Sequence, residues 1–156
     1  MSLFEKIDQD MRQALKAGEK EKLTVLRGLK SALKYAQIDK GEDLSEQDEI
    51  AALSSQAKKV RESIEMFAAG GRDDLVAKEK FGLAIIESYL PQQLDEEKLR
   101  AIATETIAEV GAQSPKDIGL VMKAIMPKIK GQADGKLVNK LVGQILASVA
   151  GNNSSN

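Results

Sequence analysis

The 156-residue chain contains no cysteine, no histidine and no tryptophan. Without thiols there is neither a disulfide framework nor a thiolate nucleophile, and without imidazoles the common zinc-ligand sets are gone as well. The missing histidine also removes the most frequent general base, and with it Ser-His-Asp chemistry. Aromatics are scarce at 3%, so the core must be built from Leu, Ile, Val, Ala and Met. That palette suits helix packing better than a β-sandwich. No run approaches the roughly 18 apolar residues that a membrane span needs, so no membrane partner is expected. No glycine loop of the Walker or G-x-G-x-x-G kind occurs, which leaves nucleotide hydrolysis without support. The first residues are interrupted by Glu5, Lys6, Asp8 and Asp10 and do not resemble a secretory leader. A soluble cytoplasmic protein is the resulting expectation.

Charge is nearly balanced overall, at −1, but it is not evenly spread. Residues 1–90 carry 15 bases and 17 acids, and residues 91–118 carry 3 bases and 6 acids. Residues 119–156 hold five lysines and one acid, a net of +4. The positive charge therefore collects in the last quarter of the chain.

Apolar spacing predicts helices throughout and no strands. Ser2 with Glu5 forms a capping-box pair before a helix over residues 2–16 that buries Ile7, Met11, Ala14 and Leu15, and Gly18 stops it. A second helix, 20–40, turns Leu23, Leu26, Leu29 and Leu33 inward. Its Arg27, Lys30 and Lys34 read as a solvated basic strip. Ser45 caps a third helix whose Ile50, Leu53, Ala57, Val60, Ile64 and Phe67 make a heptad-like stripe, expected to pair with helix two as a long hairpin. A fourth runs from Asp73-Asp74 to Pro91. After the joint 90–94, Asp95 caps a fifth helix that Gly111 ends. Ser114-Pro115 opens a sixth, and Asp134 caps a seventh that buries Leu137, Val138, Leu141, Val142, Ile145 and Leu146. The expectation is an all-α protein: about four helices over 1–91, three over 92–150, and a disordered tail over 151–156.

The candidate site is the stretch from Gly119 to Val142. Pro127 removes the N–H that would bond to Lys123, so a kink is expected, with helix resuming to about Lys130 and Gly131 as the stop. A capped hairpin whose lysines compensate the helix dipoles accounts for this pattern, and the alternative is that Lys128, Lys130, Lys136 and Lys140 converge on one edge of the hairpin as an anion site, beside the free amides that open the last helix. The carboxylate pairs Glu42-Asp43, Asp73-Asp74 and Glu96-Glu97 all lie at turns or helix starts, where capping accounts for them. No catalytic residue, metal ligand or cofactor is assigned. No aromatic follows Tyr89, so an RNA ligand would be held by its phosphates and shape rather than by base stacking.

Val121-Met122, Lys130-Gly131, Ala133-Asp134 and Leu137-Val138-Asn139 together resemble the C-terminal tail domain of the B subunit of the tRNA-dependent glutamine amidotransferase. The chain as a whole resembles the stand-alone YqeY family that shares this domain. Ser2-Leu3, Leu23-Thr24-Val25-Leu26-Arg27, Tyr89-Leu90-Pro91 and Ile125-Met126-Pro127-Lys128 carry that likeness, which extends over almost all residues before Gly151. The resemblance implies an all-helical body with a smaller three-helix C-terminal part that contacts tRNA. On this chain it implies Lys123, Lys128, Lys130, Gly131, Lys136, Asn139 and Lys140 as the RNA-contacting set. It also carries an association with carbon–nitrogen ligation that uses glutamine as amide donor, although nothing in these residues supplies a catalytic centre. The expected function is a non-catalytic, tRNA-associated module that binds RNA backbone. The alternatives are a module docking an amidotransferase or aminoacyl-tRNA synthetase and an accessory to amidotransferase activity.

Overall fold

The computed structural model describes the backbone of residues 1–154 and the side chains through 152. It is all-α, with no strand among the described residues. The helices are α1 (Leu3–Ala17), α2 (Lys20–Lys40), α3 (Glu46–Ala69), α4 (Asp73–Tyr89), α5 (Glu96–Val110), α6 (Ile118–Ile125) and α7 (Gly135–Ser154). Helix α7 thus continues through residues 151–154, which were expected in the disordered tail, while residues 155–156 lie outside the described residues. The chain divides into two compact units, Met1–Gln92 and Gln93–Asn156, each with its own apolar core.

In the first unit the helix ends follow from side chains close to them in sequence. Ser2 and Glu5, then Ser45 and Asp48, form reciprocal capping boxes that satisfy otherwise orphaned amides. Ile7 and Ala14 of α1, the four leucines of α2 and Ile50, Leu53 and Ala57 of α3 close the core with Ile86, Tyr89 and Leu90. Leu15, expected inside, is 64% exposed. Helix α3 packs on α2, as expected of the hairpin, and more extensively still on α4. The connection between α3 and α4 is the tight Gly70-Gly71 turn, with Gly71 at φ +71°, and so short a link makes the two helices antiparallel neighbours.

Several polar contacts in this unit could not be read locally. The backbone N–H of Phe4 donates to Oε2 of Glu49 at 2.8 Å, so a carboxylate on α3, only 4% exposed, satisfies an amide in the first turn of α1. The phenol of Tyr89 donates to Asp10, and burial first, then Asp10, pushes the Tyr89 pKa up. Lys30 is not part of a solvated strip. Its ammonium pairs with Asp8 and lies 5.5 Å from the centroid of the Phe4 ring.

The second unit packs Leu99, Ala103 and Ile107 of α5 against Val121 and Ile125 of α6 and Val138, Leu141, Val142 and Leu146 of α7. Leu137, expected on the buried face, is 40% exposed. The pairs 137/138, 141/142 and 145/146 leave the centre of the face ambiguous in sequence, and packing centres it on Val138, Val142 and Leu146.

Candidate functional site

The site region begins with a short 3-10 turn, Pro115–Asp117, in which the Asp117 carboxylate accepts from the N–H of Gln113 at 2.9 Å and of Ser114 at 3.4 Å. Helix α6 follows and stops at Ile125. The expected resumption of α-helix after Pro127 does not occur: the chain tightens into a 3-10 turn, Met126–Lys128, then leaves helix altogether. The Ile129 N–H bonds to the Met126 carbonyl at 3.3 Å and the Gln132 N–H to the Ile129 carbonyl at 2.8 Å. The physical reason is twofold. Pro127 has no N–H for the α ladder, and the tighter turn drives Ile129 fully into the core, at 0% exposure. Gly131 then reverses the chain at φ +77°, a conformation that disfavours any side chain.

The reversing loop is sewn to the segment that leads into α5. Gln93 Nε2 donates to the Gly131 carbonyl at 2.7 Å, and the Leu94 N–H donates to the Gln132 carbonyl at 2.8 Å. Asp134 opens α7, accepting from the Lys136 N–H at 3.3 Å through its side chain and from the Val138 N–H at 3.0 Å through its carbonyl. A Cβ on Gly135 would lie 3.7 Å from Cε of Met126, so the 3-10 turn after α6 packs against the start of α7. The loop therefore has a definite shape.

On this frame Lys136, Asn139 and Lys140 share the exposed strip of the first turns of α7, at helical spacings of three and four. Lys123 is exposed on α6, between the buried Val121 and Ile125, and Lys130 is exposed at the turn. Among the described residues, Lys123, Lys130 and Lys140 have no ion-pair partner. Lys128 behaves differently from those three. Its Nζ lies 2.6 Å from Oε2 of Glu109 and 3.2 Å from Oγ1 of Thr106, both on α5. Thr106 and Glu109 are contributors that sequence reading missed, since nothing local marks a residue on one helix as the partner of a lysine beyond the next turn.

Among the described residues no three carboxylates are placed to hold a metal, and no helix is long and apolar enough to cross a membrane. A cleft of about 410 Å³ between α2, α3 and α4 is lined by the apolar Val25, Leu29, Val60, Phe81 and Ile86 together with the charged Lys20, Glu21, Lys78 and Glu79. The strongest carboxylate perturbation is structural. Hydrogen bonds from Lys40, then from the amide and hydroxyl of Ser45, hold Asp48 well below the ordinary carboxylate range at the N-terminus of α3.

Residues 4–146 match the family described as "Yqey-like protein". The chain belongs to this family. Among curated relatives, it is 31% identical over 133 residues to the Altered inheritance of mitochondria protein 41, mitochondrial, of Lachancea thermotolerans. That match covers 81% of this chain and 68% of the relative. The proteins bearing the same name in Eremothecium gossypii and Saccharomyces cerevisiae match at 34% and 36% identity, over 54% and 53% of this chain. There the match spans only 46% and 45% of the relative's length. All three are named as mitochondrial proteins, which overturns the cytoplasmic expectation. That expectation rested on the lack of a leader-like apolar run and of a membrane-length apolar stretch, and neither pattern says which compartment a protein occupies.

Proposed function

We propose that this Yqey-like chain is a non-catalytic module that grips the sugar–phosphate backbone of a folded RNA, tRNA being the leading partner, through the exposed face of α6, the turn after it and the start of α7. The observation that carries this reading is that Lys123, Lys130, Lys136 and Lys140 are all exposed on consecutive elements: α6, the turn after it and the first turns of α7. Phosphate contacts of this kind give affinity by releasing counterions and carry little sequence information. The lack of any aromatic residue after Tyr89 supports shape and charge recognition over base stacking.

The test is a filter-binding titration of the full chain with bulk tRNA between 50 and 200 mM salt. Replacing Lys123, Lys130 and Lys140 together by alanine should weaken binding and flatten the log–log salt slope by roughly 2 to 3 units, at about 0.7–0.9 per phosphate contact. Binding equal to that of the unaltered chain across the salt range would remove the reading.

A second reading, docking to an amidotransferase or synthetase, no longer draws on the α3 stripe, since Ile50, Leu53 and Ala57 are buried within their own unit. It draws instead on Tyr35 and Ile38, three residues apart on α2 and 70% and 73% exposed. Association with such a partner that survives nuclease and disappears in Y35A/I38A would favour it.

A further inference from the structure

Lys128 closes the 3-10 turn after α6 and reaches back to α5 rather than outward. Two oxygens hold it there. Oε2 of Glu109 accepts from its ammonium at 2.6 Å, and Oγ1 of Thr106 accepts at 3.2 Å. The Thr106 hydroxyl proton is already committed to the Ile102 carbonyl at 2.8 Å, so towards Lys128 this oxygen acts as an acceptor. Thr106 is fully buried, which fixes the geometry of that acceptor. Glu109 and Lys128 are themselves about half and one-third exposed, at 50% and 37% of their side chains, so the pair can open to an incoming anion.

We propose that Glu109 is an internal competitor of RNA phosphate for Lys128, and so sets how many cations the α6–α7 face offers. The inference rests on the RNA-binding reading and deepens it. In the free chain the carboxylate neutralises an ammonium at the edge of an otherwise cationic face. A phosphate that takes Lys128 must displace Glu109 and leave that carboxylate close to the RNA backbone. The Lys128–Glu109 pair therefore adds almost nothing to the net charge that binding neutralises, whereas Lys128 without Glu109 would add one contact. Glu105 provides the control. It lies four residues earlier on the exposed surface of the same helix and has no ion-pair partner among the described residues, so removing its charge releases no lysine.

The experiment compares tRNA binding by the full chain, E109Q, E105Q, E109Q/K128A and the K123A/K130A/K140A triple variant over the same salt range. Glutamine at either position preserves side-chain size and helix propensity, and thermal unfolding checks that each variant folds. The expected result is that E109Q binds about 2- to 5-fold tighter at low salt, the range an exposed ion pair commands. Its log–log salt slope should steepen by about 0.7–0.9, one additional phosphate contact. E105Q should stay close to the unaltered chain, and adding K128A to E109Q should abolish both the gain and the extra slope. Equal effects of E105Q and E109Q would reduce the result to net charge and overturn the competitor role, as would a gain that survives K128A. If the unaltered chain and the triple variant bind alike, or neither binds, the RNA reading fails and takes the competitor with it. Loss of binding in the triple variant alone, with no change in E109Q, keeps the reading and rejects the competitor.

Discussion

Glu49 is the side chain whose role is least expected from its neighbours in sequence. It lies in the first turn of α3, where an acid serves the helix dipole, yet it is only 4% exposed and accepts the Phe4 N–H of α1. That amide is one of the donors a helix start cannot satisfy internally. Removing the acceptor leaves a part-buried donor unpaired, a defect towards the low end of the roughly 1–3 kcal/mol that a fully buried one costs. E49A is therefore expected to lower stability in urea unfolding by an amount in that range, and E49Q by less, since its amide oxygen can still accept. Equal losses for the two variants would mean that charge, and not the hydrogen bond, is what α1 requires. A similar dependence on distant partners explains why five lysines alike in sequence are not alike in structure: Lys128 is held by α5 while Lys123, Lys130 and Lys140 are not.

At the scale of single helices the start of α3 shows how a terminus can be tied to pH. The Asp48 carboxylate accepts from Lys40 at 2.7 Å, from the Ser45 amide at 2.9 Å and from the Ser45 hydroxyl at 2.8 Å. Asp8, held by Lys30 and Arg12, and Asp74, held by Arg72, are also lowered from the ordinary value of 3.8. A carboxylate whose folded pKa is depressed contributes stability that is complete above its unfolded pKa and is lost as pH falls through the folded one. The melting temperature should therefore show no step from these groups between pH 7 and 5, and should fall below about pH 4. D48N should shrink that acid-side fall, and an unchanged profile would show that the α3 cap does not contribute to it. The interval from pH 5 to 8 is further simplified by the absence of histidine. The turn after α6 belongs at this scale as well. Pro127 announces an interruption in sequence, but the burial of Ile129 decides that α-helix does not resume.

At the scale of the whole molecule, each unit has an apolar core that shares no residue with the other. Helix α5 carries four acids, Glu96, Glu97, Glu105 and Glu109, against Lys98 and Arg100, while Lys123, Lys130, Lys136 and Lys140 lie exposed on α6, the turn after it and α7. A fragment spanning residues 93–156 is thus expected to fold on its own, with helical circular dichroism and a cooperative melt. It should retain the tRNA salt slope of the full chain, because every proposed phosphate contact lies within it. A fragment that folds but binds with a much shallower slope would place essential contacts in the first unit. What the sequence by itself determined is whatever physics acts within about a helical turn: the all-α class, the capping boxes at Ser2 and Ser45, and the glycine stops at Gly18 and Gly111. The collection of positive charge in the last quarter of the chain was legible there too. Only the tertiary structure could decide that α3 chiefly embraces α4, that Leu137 stays at the rim of its core, and that Lys128 answers to Glu109. Those outcomes depend on pairs separated by 19 residues, as for Lys128 and Glu109, or 45, as for Phe4 and Glu49, or 79, as for Asp10 and Tyr89. Periodicity and capping carry no information about which distant partners meet, because that choice is made by how the helices pack.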